Sequence, residues 1–372
     1  MIFILWTISF IKSLNCFSHN YTYQRGIPSL YVSLRDERAN FLAVINTHNS
    51  FSLFEGSRDV FGTYSQKIID RKNINITNSF EVLRYKSEIS VVDMYIKDYH
   101  FYLSTEMMKH SFDKGLGFGY NYKENEEYHF VYTLYKQKLF DKFSFALENQ
   151  NADKGIIYFG SIPNNRHKKL PYKGYCNVDD NSKNWECDLL QIEFKGEVYP
   201  INKKAIFHSA LDTLFISQAL FNIMENHILQ DLLFHDVCIR RTSEKIVRYI
   251  ECSSDIDYFV ASIRFTINNM KLNITIKDLF MKISNGRVSK FMSRPEEPFN
   301  SSVVFGNSFI KLFNYTVFDY EEKQIEFYSD FTKIEMKNQI DNKKEIVLII
   351  YVLIVIQCLI NIFLLFYSIK YS

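Results

Sequence analysis

Glycine and proline are scarce in this 372-residue chain, which carries 12 Gly and 6 Pro. Average usage of roughly 7% would give about 26 Gly. The deficit excludes collagen-like, linker-like and Gly/Ser-rich disordered classes. It also leaves few bare positions for tight turns and phosphate-cradling loops. Charge of one sign is missing too. Lys and Arg number 44 against 42 Asp and Glu, a formal net charge of +2. A nucleic-acid binder should show a basic excess or a one-sided basic stripe, so no nucleic-acid partner is expected. Cysteine is limited to six residues with no CxxC pair, which argues against a four-cysteine zinc site. His100, His110, His129, His167, His227 and His235 show no HxxxH spacing. They read as core or solvated side chains, and no metal is expected.

Against these absences stand 34 Phe, 25 Tyr and 47% apolar content, enough for one large or two ordinary domains with a real core. The two ends place the chain. Ile2 to Ile11 is an apolar run followed by Lys12, Ser13 and polar residues from Asn15 to Asn20. It reads as a signal peptide over residues 1–18, without a basic n-region or a small-x-small cleavage site; an uncleaved anchor is the alternative. Residues 346–367 form a second apolar run, broken only by Gln357 and Asn361. Its 22 residues span ~33 Å at 1.5 Å each, enough for a hydrocarbon core of ~30 Å. A transmembrane helix is predicted there, after a charged stalk (331–345) and before a short cytoplasmic tail (368–372). Lys343 and Lys344 fall on the lumenal side, so loop charge does not orient the span and the signal peptide must. The expected localisation is the secretory pathway or cell-surface membrane. The topology is single-pass type I, ectodomain lumenal or extracellular.

With Cys16 in the leader and Cys358 in the span, four cysteines remain in the ectodomain. An oxidising lumen favours two disulfides, and chain order suggests Cys176–Cys187 and Cys238–Cys252. Sequons at Asn20, Asn75, Asn273, Asn300 and Asn314 are compatible with a glycosylated surface.

Between the ends, strand-length β-branched and aromatic runs dominate. Tyr31–Leu34, Phe41–Ile45, Glu81–Arg84, Ile89–Val92, Phe143–Leu147 and Ile156–Phe159 are followed by Leu189–Phe194, Ala205–Phe207, Ile263–Ile267, Val303–Phe305, Thr316–Phe318 and Gln324–Tyr328. Helical patterning is limited to Tyr128–Gln137, Ser217–Glu225 and Leu229–Phe234. Many short strands imply an all-β architecture. The basic, Pro-containing segment from Pro163 to Pro171 divides them into an N-terminal β lobe (28–165) and a C-terminal β lobe (166–330).

Four segments, in order, carry a resemblance. These are Phe112-Asp113-Lys114-Gly115-Leu116-Gly117-Phe118-Gly119, then Gly155 to Ile162, then Trp185 to Ile192. The fourth is Phe305-Gly306-Asn307-Ser308-Phe309-Ile310 with Tyr315-Thr316-Val317-Phe318-Asp319. The ordered set resembles the pepsin-like aspartic proteases (peptidase A1) over roughly residues 30 to 330. The glycines of the first segment lack GxGxxG spacing and no βαβ pattern follows, so a nucleotide loop is the poorer reading. The resemblance implies a bilobal fold with an interlobe cleft, and no cofactor.

In that family each lobe supplies one Asp from an Asp-Thr/Ser-Gly turn. The two carboxylates share a proton and activate a water. Here the first turn reads Val44-Ile45-Asn46-Thr47-His48-Asn49 and the second Phe207-His208-Ser209-Ala210-Leu211-Asp212-Thr213. The resemblance thus puts Asn46 and His208 at the two catalytic positions, and His48 and Ala210 at the two glycines. An amide neither ionises nor shuttles a proton. Thr47 and Ser209 keep the hydroxyls that support the turns. Tyr85 is placed as the flap tyrosine, with Lys86 after it where glycine is usual. Tyr85, Lys86, His48 and Asp212 are the candidate ligand-binding residues. With the first strand expected near Tyr31, soon after the leader, the chain is expected to lack the family's basic prosegment.

The expectation is a degenerate, membrane-anchored family member that binds an extended peptide or protein segment in the cleft without cleaving it. Two alternatives stay open. One is an atypical endopeptidase using His208 and possibly Asp212, if Asp212-Thr213 is the true second turn. The other is a structural or adhesive surface protein. The sequence leaves the oligomeric state open.

Overall fold

The computed structural model describes residues 16–24, 27–34, 39–55, 68–75, 79–91, 94–104, 115–151, 153–161, 172–243, 247–258, 261–283, 286–293, 302–329 and 334–336. The chain divides into two compact units, Met1–Glu335 and Met336–Ser372, and every element below belongs to the first. The leader up to residue 15, the segment Pro163–Pro171, Phe112–Lys114, Asn300, nearly all of the stalk, the predicted span 346–367 and the tail lie outside the described residues. Among the described residues no helix is long and apolar enough to cross a membrane.

Strand formation follows the alternation of apolar and polar residues. Strands Ser262–Ile267 and Met270–Thr275 bury Ile263, Phe265, Ile267, Met270, Leu272 and Ile274 and turn the residues between them outward, the two-residue period of a half-buried strand. In chain order the first half contains β1 (Cys16–Gln24), β2 (Ile27–Leu34), β3 (Ala39–Asn46), β4 (Leu53–Glu55) and β5 (Ile68–Asn75). Next come β6 (Ser79–Val91), β7 (Met94–Ser104), β8 (Leu116–Gly117), helix α1 (Phe130–Lys136), β9 (Ser144–Asn149) and β10 (Lys154–Gly160). The second half opens with β11 (Tyr172–Asn177), β12 (Glu186–Phe194), β13 (Glu197–His208) and β14 (Leu214–Ile216). Helices α2 (Gln218–Ile223) and α3 (Gln230–Phe234) lead into β15 (Cys238–Thr242) and β16 (Arg248–Cys252). The strands already introduced at Ser262–Ile267 and Met270–Thr275 are β17 and β18, and β19 (Phe280–Ile283), β20 (Gly286–Ser289) and β21 (Phe291–Ser293) follow. The half ends with β22 (Ser302–Gly306), helix α4 (Asn307–Ile310), β23 (Tyr315–Asp319) and β24 (Gln324–Ser329).

Two sheets result. The first runs β11-β24-β23-β9-β10-β1-β2-β6-β7-β4, with β3 paired to β2 and β5 to β6. The second holds strands of the second half only, in the order β19-β20-β16-β21-β14-β22-β13-β12-β17-β18. Six strands of the first sheet join the halves. The sequence β1-β10-β9 on one side is mirrored by β11-β24-β23 on the other. The seam is the antiparallel pair β9–β23, with Phe145 opposite Phe318 and Leu147 opposite Thr316. Rings pack over that seam: Phe145 stacks on Phe318 at 4.7 Å, and Trp185 meets Phe318 at 5.2 Å and Tyr320 at 4.7 Å. Each such contact contributes about 0.5–1.5 kcal/mol beyond area burial.

One boundary is corrected. β1 begins inside the segment read as leader, with Cys16, Phe17 and Ser18 opposite Gly160, Phe159 and Tyr158. Cleavage after residue 18 would remove the strand's first three positions, and the first lobe starts before residue 28. The alternation is real, with Ser18, Asn20 and Thr22 exposed and His19 and Tyr21 buried. A buried histidine in an apolar slot hides it from a hydrophobicity count. The lobes also share a sheet, so the division near residue 165 separates chain halves rather than independent cores.

Both disulfides form. Cys176–Cys187 ties β11 of the first sheet to β12 of the second, and Cys238–Cys252 links directly opposed residues of β15 and β16.

Candidate functional site

The site is built where two strands end. β3 ends at Asn46, which pairs in parallel with Gly117 of β8. β13 ends at His208, which pairs in parallel with Gly306 of β22. Each turn then doubles back against its partner glycine. A Cβ on Gly117 would press into the backbone of Phe51, and one on Gly306 into the carbonyls of Thr213 and Leu211. The scarce glycines are kept where chain crosses chain at this distance.

The two turns hold each other by reciprocal hydrogen bonds. The Thr47 amide donates to Ser209 Oγ at 3.1 Å, and the Ser209 amide donates to Thr47 Oγ1 at 2.9 Å. The Thr47 hydroxyl donates to the Phe207 carbonyl at 2.8 Å, and the Ser209 hydroxyl donates to the Ile45 carbonyl. Both residues are completely buried. Each lobe therefore satisfies backbone groups of the other, where an unmade bond is most costly.

Around this grip, Asn46 is buried, and its Oδ1 accepts from the amides of His48 (3.0 Å) and Asn49 (3.2 Å). A carboxylate oxygen could accept the same two bonds, so Asn46 preserves the shape of the turn while removing the charge. His208 is fully buried, and its ring stacks on that of His48 with centroids 4.7 Å apart and planes 17° from parallel. The side chain of Asn184, just ahead of β12, hydrogen-bonds His48. Burial pushes the His48 imidazole down to about 4. His208 is held well below the ordinary histidine range by burial first and by the neighbouring His48 second. Both rings are neutral at neutral pH. The floor of the site is two stacked imidazoles and an amide, with no carboxylate on Asn46, Thr47, His48, His208, Ser209 or Ala210.

Asp212 lies elsewhere. Its Oδ1 accepts from Ser308 Oγ at 2.9 Å, and it sits among Lys311 and Lys290 with its carboxyl pushed up mainly by burial. Lys311 in turn lies 3.5 Å above the ring of Tyr23 on β1. Asp212 thus anchors the second turn to α4, and the register ending β13 at His208 makes His208 the residue equivalent to Asn46.

Tyr85 and Lys86 are also relocated. Asn75 opposite Ser79 closes the β5–β6 hairpin, whereas Tyr85 lies opposite Ile68 at its far end. Tyr85 is 1% exposed and stacks on Phe101; it is a core residue, not a cover over the site. Lys86 is exposed and pairs with Asp98 at 3.1 Å. The turn of that hairpin, residues 76–78, lies outside the described residues. Of the sequons, Asn20 is exposed on β1, Asn314 is half-buried, and Asn273 accepts from Arg264 Nε at 2.9 Å within β18. Asn75 ends β5.

Sequence reasoning missed a second lock between the lobes. Trp185 Nε1 and the Tyr320 hydroxyl both donate to the Phe118 carbonyl at 2.8 Å. His129 caps α1 by accepting from the Tyr132 amide through Nδ1. Its Nε2 therefore carries the proton and donates to the Gly119 carbonyl at 2.9 Å. Burial pushes His129 down to about 3. Neither Asn184 nor His129 has a spacing that marks it; of this lock only Trp185, the start of the segment Trp185 to Ile192, stood out in the sequence. Among the described residues no three His, Cys, Asp or Glu side chains converge as a metal site.

Two gripped turns at the ends of pseudo-equivalent strands, over a six-stranded connecting sheet, define a bilobal pepsin-like fold. A family model described as eukaryotic aspartyl protease matches residues 48–329, and the chain belongs to that family. The match opens two residues after Asn46. Among solved structures the chain is similar to the aspartic proteinase from Irpex lacteus, with a TM-score of 0.65 and 13% identity. The alignment covers 85% of this chain and 98% of that one. At that identity the likeness concerns the fold alone. No curated protein matches the sequence.

Proposed function

We propose that the protein is a membrane-tethered pseudo-protease whose interlobe cleft holds an extended peptide or protein segment without cleaving it. One observation carries the reading. The cross-lobe grip of Thr47 and Ser209 is intact while the positions it supports hold an amide and a buried neutral imidazole. A water-activating dyad needs one ionised and one protonated carboxyl in proximity. Asn46 supplies neither, and His208 is an imidazole stacked against that of His48. A cleft of this kind can still bind a strand through backbone hydrogen bonds. The apolar run at 346–367 supports the anchor, and the leader-like run at its other end supports a lumenal or extracellular ectodomain.

The test is incubation of the full-length chain with a diverse peptide library from pH 3 to 8. No cleavage is expected at any pH, together with retention of a subset of peptides that Asn184→Arg weakens at least tenfold. Cleavage that disappears in His208→Ala overturns the non-catalytic reading. Absence of any retained peptide overturns the binding reading and favours a structural or adhesive role.

A further inference from the structure

Strand β1 carries the triplet Asn20-Tyr21-Thr22, an acceptor sequence for N-linked sugar. The two-residue period of a strand puts Asn20 and Thr22 on one face and Tyr21 on the other. Asn20 and Thr22 are both exposed, while Tyr21 is buried and its hydroxyl donates to the Glu148 carbonyl of β9 at 3.1 Å. From this placement we propose that Asn20 bears a glycan in the folded chain, in preference to Asn273 and Asn314, received from a lipid-diphosphate-linked oligosaccharide in the lumen. In the transfer the side-chain nitrogen of Asn20 bonds to C1 of the first sugar. The bond from C1 to the diphosphate oxygen breaks, and the lipid diphosphate leaves as the amide gives up one proton.

The physical case rests on what the fold does with each triplet. An N-linked sugar is bulky and hydrated, so the residue that carries it must stay outside the packed chain. Asn273 Oδ1 accepts from Arg264 Nε at 2.9 Å, and the Thr275 hydroxyl of the same triplet donates to Asp278 at 2.6 Å. Asn314 is half-buried between α4 and β23. Its amide donates to the Tyr328 carbonyl, its carbonyl accepts from the Asn149 amide, and Thr316 of its triplet is fully buried. Sugar on Asn314 would have to displace that turn, whereas sugar on Asn20 displaces nothing. Asn300 and the residues after Asn75 lie outside the described residues and do not enter the comparison. The position of Asn20 along β1 is also favourable. β1 begins at Cys16, so a leader cut that spares the strand leaves Cys16 to His19 ahead of the acceptor. A glycan there leaves the candidate site open. Asn20 lies opposite Ile156, three residues from Phe159 and so on the other face of the sheet. Phe159 packs on Phe118, whose amide donates to the Asn46 carbonyl. The sugar therefore rises from the face turned away from Asn46. The proposal rests on a lumenal ectodomain and does not depend on whether the cleft holds a peptide.

The test is made on the full-length chain produced in a eukaryotic secretory host. A glycan-releasing amidase in heavy-oxygen water converts each occupied Asn to a labelled Asp, which peptide mass spectrometry locates. Label at Asn20 should be at least fivefold that at Asn273 or Asn314. Asn20→Gln and Thr22→Ala should each abolish the mobility step that this sugar gives on electrophoresis, whereas Thr22→Ser, which keeps the acceptor hydroxyl, should retain it. Should a variant fail to fold, the label in the wild-type chain decides alone. Protection of the chain from protease in intact microsomes reports its side of the membrane separately. A protected chain with no label at Asn20, or with equal label at Asn273 or Asn314, overturns the proposal while the lumenal reading stands. An unprotected chain without label overturns both.

Discussion

Asn46 keeps the two backbone bonds that define its turn and gives up the charge. Thr47 and Ser209, one residue beyond, make the four hydrogen bonds by which the two turns hold each other. Thr47→Ala removes the acceptor for the Ser209 amide and the donor to the Phe207 carbonyl, leaving two buried groups unmade. The expected loss is on the order of 2–3 kcal/mol, with Ser209→Ala similar. Because both residues serve one network, the double variant should fall short of the sum by about 1 kcal/mol or more. Thr47→Ser should recover most of the loss. Urea unfolding of the wild type and the four variants at pH 7.5 measures all of this; additive losses would mean that the grip is two unrelated contacts.

At the scale of elements, the site depends on strand ends crossing at van der Waals distance. Gly117 and Gly306 stand opposite Asn46 and His208 in equivalent parallel pairs. Alanine at either position would drive a methyl into backbone, which cannot swing away as a side chain can. A loss on the order of 3 kcal/mol is expected for each, read from the urea midpoint. Equal tolerance of Gly306→Ala and a surface substitution would contradict the close crossing. Much of this level was legible in the sequence, because β-branched alternation marks the strands directly. The helical stretches expected around Tyr128–Gln137, Ser217–Glu225 and Leu229–Phe234 enclose α1, α2 and α3. The two turns were readable because Thr47 and Ser209 flank them in equivalent positions. What failed was register. Tyr85 resembled a flap tyrosine only by residue type, and hairpin pairing places it opposite Ile68, at the far end of the hairpin from the closing pair Asn75–Ser79. β1 was lost inside the leader because His19 interrupts its apolar face. The His48–His208 stack and the Asn184 contact join residues more than 100 positions apart, and no local pattern encodes them.

For the molecule as a whole, the chemistry of this floor sets the sign of the pH response. His48, with a pKa near 4 in the folded chain, and His129, near 3, take up protons in the unfolded chain first, at about 6.5. Their contribution to stability is complete above roughly pH 6.5. It is lost as pH falls toward 4 and below, since the unfolded state binds more protons throughout that window. The loss should reach several kcal/mol, so the urea midpoint at pH 4.5 should lie well below that at pH 7.5. A family floor works the other way. In a chain carrying Asn46→Asp, His48→Gly, His208→Asp and Ala210→Gly, two neighbouring carboxyls cannot both ionise, and one has its pKa raised above the unfolded value. A raised carboxyl stabilises below its unfolded pKa and loses that contribution as pH rises through the folded one. The fourfold variant should therefore shrink or reverse the difference between the two midpoints, with His129 supplying what acid sensitivity remains. A variant that keeps the full wild-type fall in midpoint would place the acid response outside the floor.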